Sequence, residues 1–124
     1  MTRSEKLLAA FLLVAGTAHF LNPDFFDAIV PPWAPGSARF ATYASGVAEL
    51  LIGLGIVVKR TRRLALWSAA ALFVAVYPAN LYMAWDWRDR ELTDRLVAYG
   101  RLPLQIPMIW WAVALARRVQ RSVS

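Results

Sequence analysis

The chain has 124 residues, 59% of them hydrophobic and only 18% charged, with a mean hydropathy of +0.44. An ordinary soluble domain is about 45–50% apolar and about 25% charged, so the composition points to an integral membrane protein of one domain spanning residues 1–124. The absence of cysteine excludes disulfides, thiol redox chemistry, iron–sulfur ligation and thiolate metal sites.

Gaps between charged residues define four apolar segments in chain order. The first covers residues 7–23 and carries no charge. A signal peptide is the competing reading, since Arg3 and Lys6 precede it, but no small-x-small cleavage site follows. Next comes 22–39, rich in proline and aromatics, in which Asn22 as N-cap, Pro23 at the first helical position and Asp24 predict a short helix to about Val30, ended by Pro31 and Pro32. The second span is 40–58, interrupted only by Glu49, and the third is 64–85, without charge. The fourth, 102–116, reaches roughly 22 Å at about 1.5 Å per residue. Arg101 and Arg117 at its ends snorkel to complete the crossing. The expected fold is therefore all-α, a four-transmembrane-helix bundle running up-down-up-down with a short interfacial helix or loop between the first two spans.

Charge distribution sets the orientation. The N-terminus, residues 59–63 and the C-terminal tail hold nine basic residues against one acid, whereas 22–39 and 86–101 hold five against six. The positive-inside rule puts both termini and the 59–63 loop in the cytoplasm, the two longer loops outside, and the protein in a bacterial inner membrane. Topology accounts for the formal charge of +6, which removes nucleic acid as a partner and leaves the lipid bilayer.

Polar side chains inside apolar segments are costly unless they face a bundle interior or a wet cavity. They are His19 in the first segment, Glu49 with Thr42 and Ser45 in the second, Tyr77 and Asn80 in the third, and Gln105 in the fourth. His19, Asn80 and Gln105 fall in the outer third of the membrane, and Glu49, about 14 Å down its helix, forms the floor beneath them. Thr42, Ser45, Gly46, Glu49 and Gly53 share one helical face, a small-residue stripe that admits a close neighbour. Glu49 is a desolvated carboxylate whose partner is His19, or Arg101 reaching down from the head of the fourth span. Phe25, Phe26 and Trp33 are expected to close the mouth of the pocket that His19, Glu49, Tyr77, Asn80, Arg101 and Gln105 form. Trp33, Trp85 and Trp87 read as an outer aromatic belt. For each polar residue packing is the competing role, because Asn80 and Gln105 also suit interhelical hydrogen bonds of about 1 kcal/mol.

The pieces Gly16-Thr17-Ala18-His19-Phe20-Leu21-Asn22-Pro23, Ile29-Val30-Pro31-Pro32-Trp33, Ser45-Gly46-Val47-Ala48-Glu49, Tyr77-Pro78-Ala79-Asn80-Leu81-Tyr82-Met83-Ala84 and Arg101-Leu102-Pro103-Leu104-Gln105 together resemble the DoxX-like family of small bacterial four-helix membrane proteins. The resemblance covers nearly the whole chain and implies a four-helix bundle. In the wider group it extends to subunits linked to thiosulfate:quinone oxidoreductase, to the methylamine-utilisation protein MauE and to membrane chaperones. Those roles share a bundle and not a reaction. Zero cysteine departs from the thiol-active relatives.

Three functions stay open at this point. The first is a binding or accessory subunit that holds a small amphipathic, quinone-like ligand in an outward-opening pocket for a membrane or periplasmic oxidoreductase. The second is an assembly protein with no ligand, and the third a proton-coupled carrier using Glu49 and His19, which needs a homodimer for room. One histidine, no cysteine and no glycine-rich phosphate loop leave nothing to hold a haem, flavin or metal, so no catalytic residue and no cofactor other than the quinone-like ligand is expected.

Overall fold

A computed structural model describes residues 1–34 and 36–123. Five helices form, and no strand is present among the described residues: α1 (Arg3–Leu21), α2 (Pro23–Asp27), α3 (Ala38–Val57), α4 (Arg62–Asp86) and α5 (Leu92–Val123). Three of them, α1, α3 and α4, are long and apolar enough to cross a membrane.

Local chemistry explains the helix ends. Thr2 and Glu5 form a reciprocal capping box at the start of α1, which accounts for the burial of the Glu5 side chain. Ser37 caps α3 by accepting from the Phe40 N–H, and the turn before it uses Gly36 at φ +77°, a conformation that disfavours any residue with a Cβ. At the other end of α3, Arg62 donates to the carbonyls of Ile56 and Val57, a cation on the orphan acceptors of a helix C-terminus.

Two sequence expectations are corrected here. The helix predicted to reach Val30 stops at Asp27, and although Asn22 occupies the N-cap position its side chain makes no capping bond. Its N–H instead closes α1 onto Ala18, and 3-10-type bonds from Ile29 to Phe26 and from Val30 to Asp27 carry the chain into the turn. In contrast, α5 begins ten residues before the fourth apolar segment and runs unbroken through Pro103 and Pro107. Charge gaps locate an apolar stretch, and the charged residues ahead of it favour helix well enough to extend the element outward.

The long helices associate as two pairs, α1 with α3 and α4 with α5, joined chiefly by α3 against α4. Glycines set the first pair: a Cβ on Gly16 would stand 2.9 Å from the Gly46 carbonyl oxygen, and one on Gly46 would stand 2.9 Å from the His19 Cβ. The small-residue stripe thus lets α1 and α3 backbones approach closely. Leu8, Leu12, Ile56, Leu66, Ala69, Ala112 and Ala116 close the apolar core at the end shared by the start of α1, the α3–α4 junction and the end of α5. That end holds the basic clusters. At the opposite end Ile29, Met83, Trp87 and Ala98 form a second, smaller core with Phe26 against it. Trp87, expected in an outer belt, is buried there because it follows the last turn of α4 and faces α5. Large apolar side chains cover the outside, among them Leu7, Val14, Leu51, Leu64, Val74, Leu104, Ile106 and Trp110.

Candidate functional site

Between the two helix pairs, away from the basic end, lies a cavity of about 310 Å³. Every helix contributes to its wall: His19 from α1, Phe26 from α2, Thr42, Ser45 and Glu49 from α3, Asn80 with Pro78 from α4, and Arg101 from α5. Ile29, Val30, Pro31, Trp33 and Ala34 supply an apolar rim from the segment after α2.

His19 is fixed by three neighbours. Its Nδ1 lies 2.7 Å from the Ala15 carbonyl oxygen one turn earlier, its Nε2 lies 3.4 Å from Glu49 Oε1, and its ring stacks on Phe26 at a centroid distance of 3.8 Å. A carbonyl oxygen only accepts, so Nδ1 carries hydrogen and Nε2 faces the carboxylate. Glu49 is therefore paired with His19, the first of the two partners foreseen for it. Arg101 lies beyond ion-pairing distance of Glu49, although the two charges act on each other through space. Among the described residues no carboxylate comes within ion-pairing distance of that guanidinium, whose Nη1 lies 3.8 Å from Met83 Sδ. Asn80 is only 2% exposed, and its Nδ2 has no hydrogen-bond partner among the described residues.

Other expected members fall elsewhere. Gln105 is buried, but its amide donates to the Phe73 carbonyl oxygen at 2.7 Å and does not line the cavity. This bond ties α5 to α4 one residue before Val74, whose carbonyl is the one that Pro78 cannot donate to. Tyr77 is also outside the lining, since a step of three residues from Asn80 rotates it about 60° around α4. Of the three aromatics expected at the mouth, Phe26 and Trp33 line it, with Trp33 edge-on to Tyr82 at 5.3 Å. Phe25 points away and packs between Phe26 and Trp87. Trp110 faces outward and Trp111 packs on the apolar core, so neither lines the cavity.

Residues 8–116 match the family described as Domain of unknown function (DUF8561). The chain belongs to that family. Neither the curated proteins nor the solved structures contain a match to it. The matched region of the DUF8561 chain contains every residue that lines the cavity.

A clasp not foreseen from the sequence holds the DUF8561 cavity rim. Arg39 donates from Nε to Asp27 Oδ2 at 2.8 Å and from Nη2 to Asp24 Oδ1 at 2.7 Å, while Thr42 donates to the other Asp27 oxygen at 2.6 Å. These bonds pin α2 to α3 and so fix where the 28–34 segment crosses the cavity. The Thr42 hydroxyl, together with Arg39, holds the Asp27 carboxyl below its ordinary value. The signal available in the sequence was one unbalanced arginine at the head of an apolar segment, with two aspartates 12 and 15 residues before it.

Proposed function

We propose that this chain is a four-span membrane protein, DoxX-like in architecture, that binds a small amphipathic molecule with its polar end in the cavity and serves as a binding or accessory subunit for a membrane oxidoreductase. The observation that carries the binding role is the Asn80 amide, buried and unpartnered in the wall of a cavity with apolar surroundings. Leaving a buried donor unpaired costs about 1–3 kcal/mol, which a ligand acceptor would recover. A volume of about 310 Å³ is at the small end of the range for such sites, roughly 300–1,000 Å³.

Four spans are supported by the outward face of α5. Leu104, Ile106 and Trp110 are each more than half exposed, a pattern that lipid and not water rewards. The basic residues gathered at one end support a cytoplasmic location for both termini in a bacterial inner membrane. A quinone-like ligand and an oxidoreductase partner come from the DoxX-like resemblance. The experiment is to purify the protein in mild detergent, extract it with organic solvent and analyse both fractions by mass spectrometry. The expected result is a stoichiometric small molecule that is lost on replacing Asn80 with Leu. A protein of wild-type yield with no extractable molecule would leave the assembly role in its place.

A further inference from the structure

Within that binding role, we infer that the cavity selects an amphipathic monoanion, a single oxyanion on a short apolar body, gripped by Arg101 and Asn80. The inference rests on the binding reading and narrows its ligand from amphiphiles in general to anionic ones.

Charge around the cavity can be tallied from geometry. Ala15's carbonyl requires hydrogen on His19 Nδ1, so a neutral ring would turn the bare lone pair of Nε2 toward Glu49 Oε1 at 3.4 Å. A proton held between these two groups, on the ring or on the carboxyl, relieves the repulsion of two facing acceptors. Whether the proton resides on the ring or on the carboxyl, the pair sums to zero charge. Asn80 and the other linings from α2, α4 and the 28–34 segment are uncharged. With that proton in place, Arg101 is the charge on the cavity wall that has no carboxylate within ion-pairing distance among the described residues. Asp24 and Asp27, the nearest acids of the rim, are already engaged by Arg39.

Hydrogen bonding points the same way. The Arg101 guanidinium and the Asn80 amide nitrogen, two polar groups of the wall without an oxygen acceptor among the described residues, are donors. Thr42, the lining hydroxyl from the start of α3, has already spent its proton on Asp27. A ligand completing this wall brings acceptors and one negative charge, which an oxyanion does and an alcohol or ammonium group does not. A guanidinium binds two oxygens of one carboxylate or phosphate group through two parallel bonds, so a carboxylate or a phosphodiester satisfies it. Phe26, Ile29, Val30 and Trp33 cover the apolar remainder.

The test uses the full chain in phosphatidylcholine nanodiscs, titrated by calorimetry with decanoate, 1-decanol, decylammonium and a short-chain ubiquinone. Decanoate is expected to bind at least tenfold more tightly than each of the other three, and Arg101→Gln to abolish that preference while the neutral ligands keep their affinity. Should Arg101→Gln not fold, the ranking of the four ligands on the wild-type chain decides alone. Equal or tighter binding of the quinone or the alcohol overturns the anion inference and leaves the binding role intact. No binding by any of the four, together with no extractable molecule, overturns both. Repeating the titration in nanodiscs containing phosphatidylglycerol separates the two oxyanion sources. Competition there places a lipid phosphodiester in the cavity, and an unchanged affinity for decanoate leaves a free acid.

Discussion

His19 and Glu49 face each other at 3.4 Å in a mostly buried setting, so each loses a polar neighbour when the other is removed. Replacing His19 with Leu strands a carboxylate, and replacing Glu49 with Leu strands an imidazole nitrogen. Either single change is expected to cost about 1–3 kcal/mol. The double change is expected to cost less than the sum of the two, by at least about 0.5 kcal/mol, as measured by thermal or denaturant unfolding in detergent. Additive losses would mean that the two side chains do not interact. Asp27 gives a prediction of opposite location, on the rim. Its carboxyl is held below the ordinary 3.8, first by the Thr42 hydroxyl and then by Arg39. A carboxyl with a depressed folded pKa stabilises fully above its unfolded value, and the contribution is lost as pH falls through the folded one. The clasp is therefore expected to stay closed from neutral pH down to about 4 and to open below it. Hydrogen exchange over residues 23–34 measures this, and Asp27→Asn should show the open exchange pattern at every pH.

Among single residues, legibility followed how much a side chain stands out from its surroundings. His19, Glu49 and Asn80 are polar groups in apolar runs, and each does line the cavity. Gln105 gives the same signal, yet its amide satisfies the Phe73 carbonyl beside a proline-interrupted turn, which no pattern in one helix reveals. The Asp27–Arg39–Thr42 clasp crosses a chain reversal without periodicity, so charge counting recorded its members without pairing them.

At the scale of the elements, glycine separates the two functions of a small residue. On α3, Gly46 is a contact point: an added Cβ would meet Phe20 at 2.8 Å, His19 at 2.9 Å and the Gly16 carbonyl oxygen at 3.2 Å. Backbone cannot give way as a side-chain tip does. Gly46→Ala is expected to cost about 1–3 kcal/mol as an overpacked site and to shift His19 away from Glu49. On α5, a Cβ on Gly100 meets nothing within 4 Å among the described residues, so it would enter open space. Gly100→Ala is expected to stabilise the helix by about 0.5–1 kcal/mol, because alanine loses less backbone entropy on folding. Unfolding midpoints of the two variants should move in opposite directions, and a destabilised Gly100→Ala would show that α5 is packed differently around the cavity. The α1–α3 stripe was readable because spacing of three and four residues survives in any helix. The length of α5 was not, since helix propensity continues through charged residues at which the apolar run ends.

For the whole molecule, the decisive quantity is how many times the chain crosses the bilayer. Composition makes α1, α3 and α4 long enough and apolar enough on their own, whereas α5 mixes a charged first part and a basic end with an apolar middle. Packing supplies what composition leaves open. α5 runs alongside α4 and shares its apolar core through Ala112, Leu115 and Ala116, while Leu104, Ile106 and Trp110 face outward at the level where the neighbouring helices also expose apolar side chains. The proposed four-span reading expects a helix in that position with that outer face to cross with its partner. The chain contains no cysteine, so single cysteines can be placed without background. Lys59→Cys lies between α3 and α4, Asp89→Cys between α4 and α5, and Gln120→Cys near the end of α5, all at exposed positions. With a membrane-impermeant maleimide on intact cells stripped of any outer membrane, Asp89→Cys is expected to label at once and the other two only after permeabilisation. Labelling of Gln120→Cys together with Asp89→Cys would keep α5 on one side of the membrane. The cavity would then lie at the bilayer surface, with Arg101 in the headgroup layer instead of facing a site enclosed by four spans.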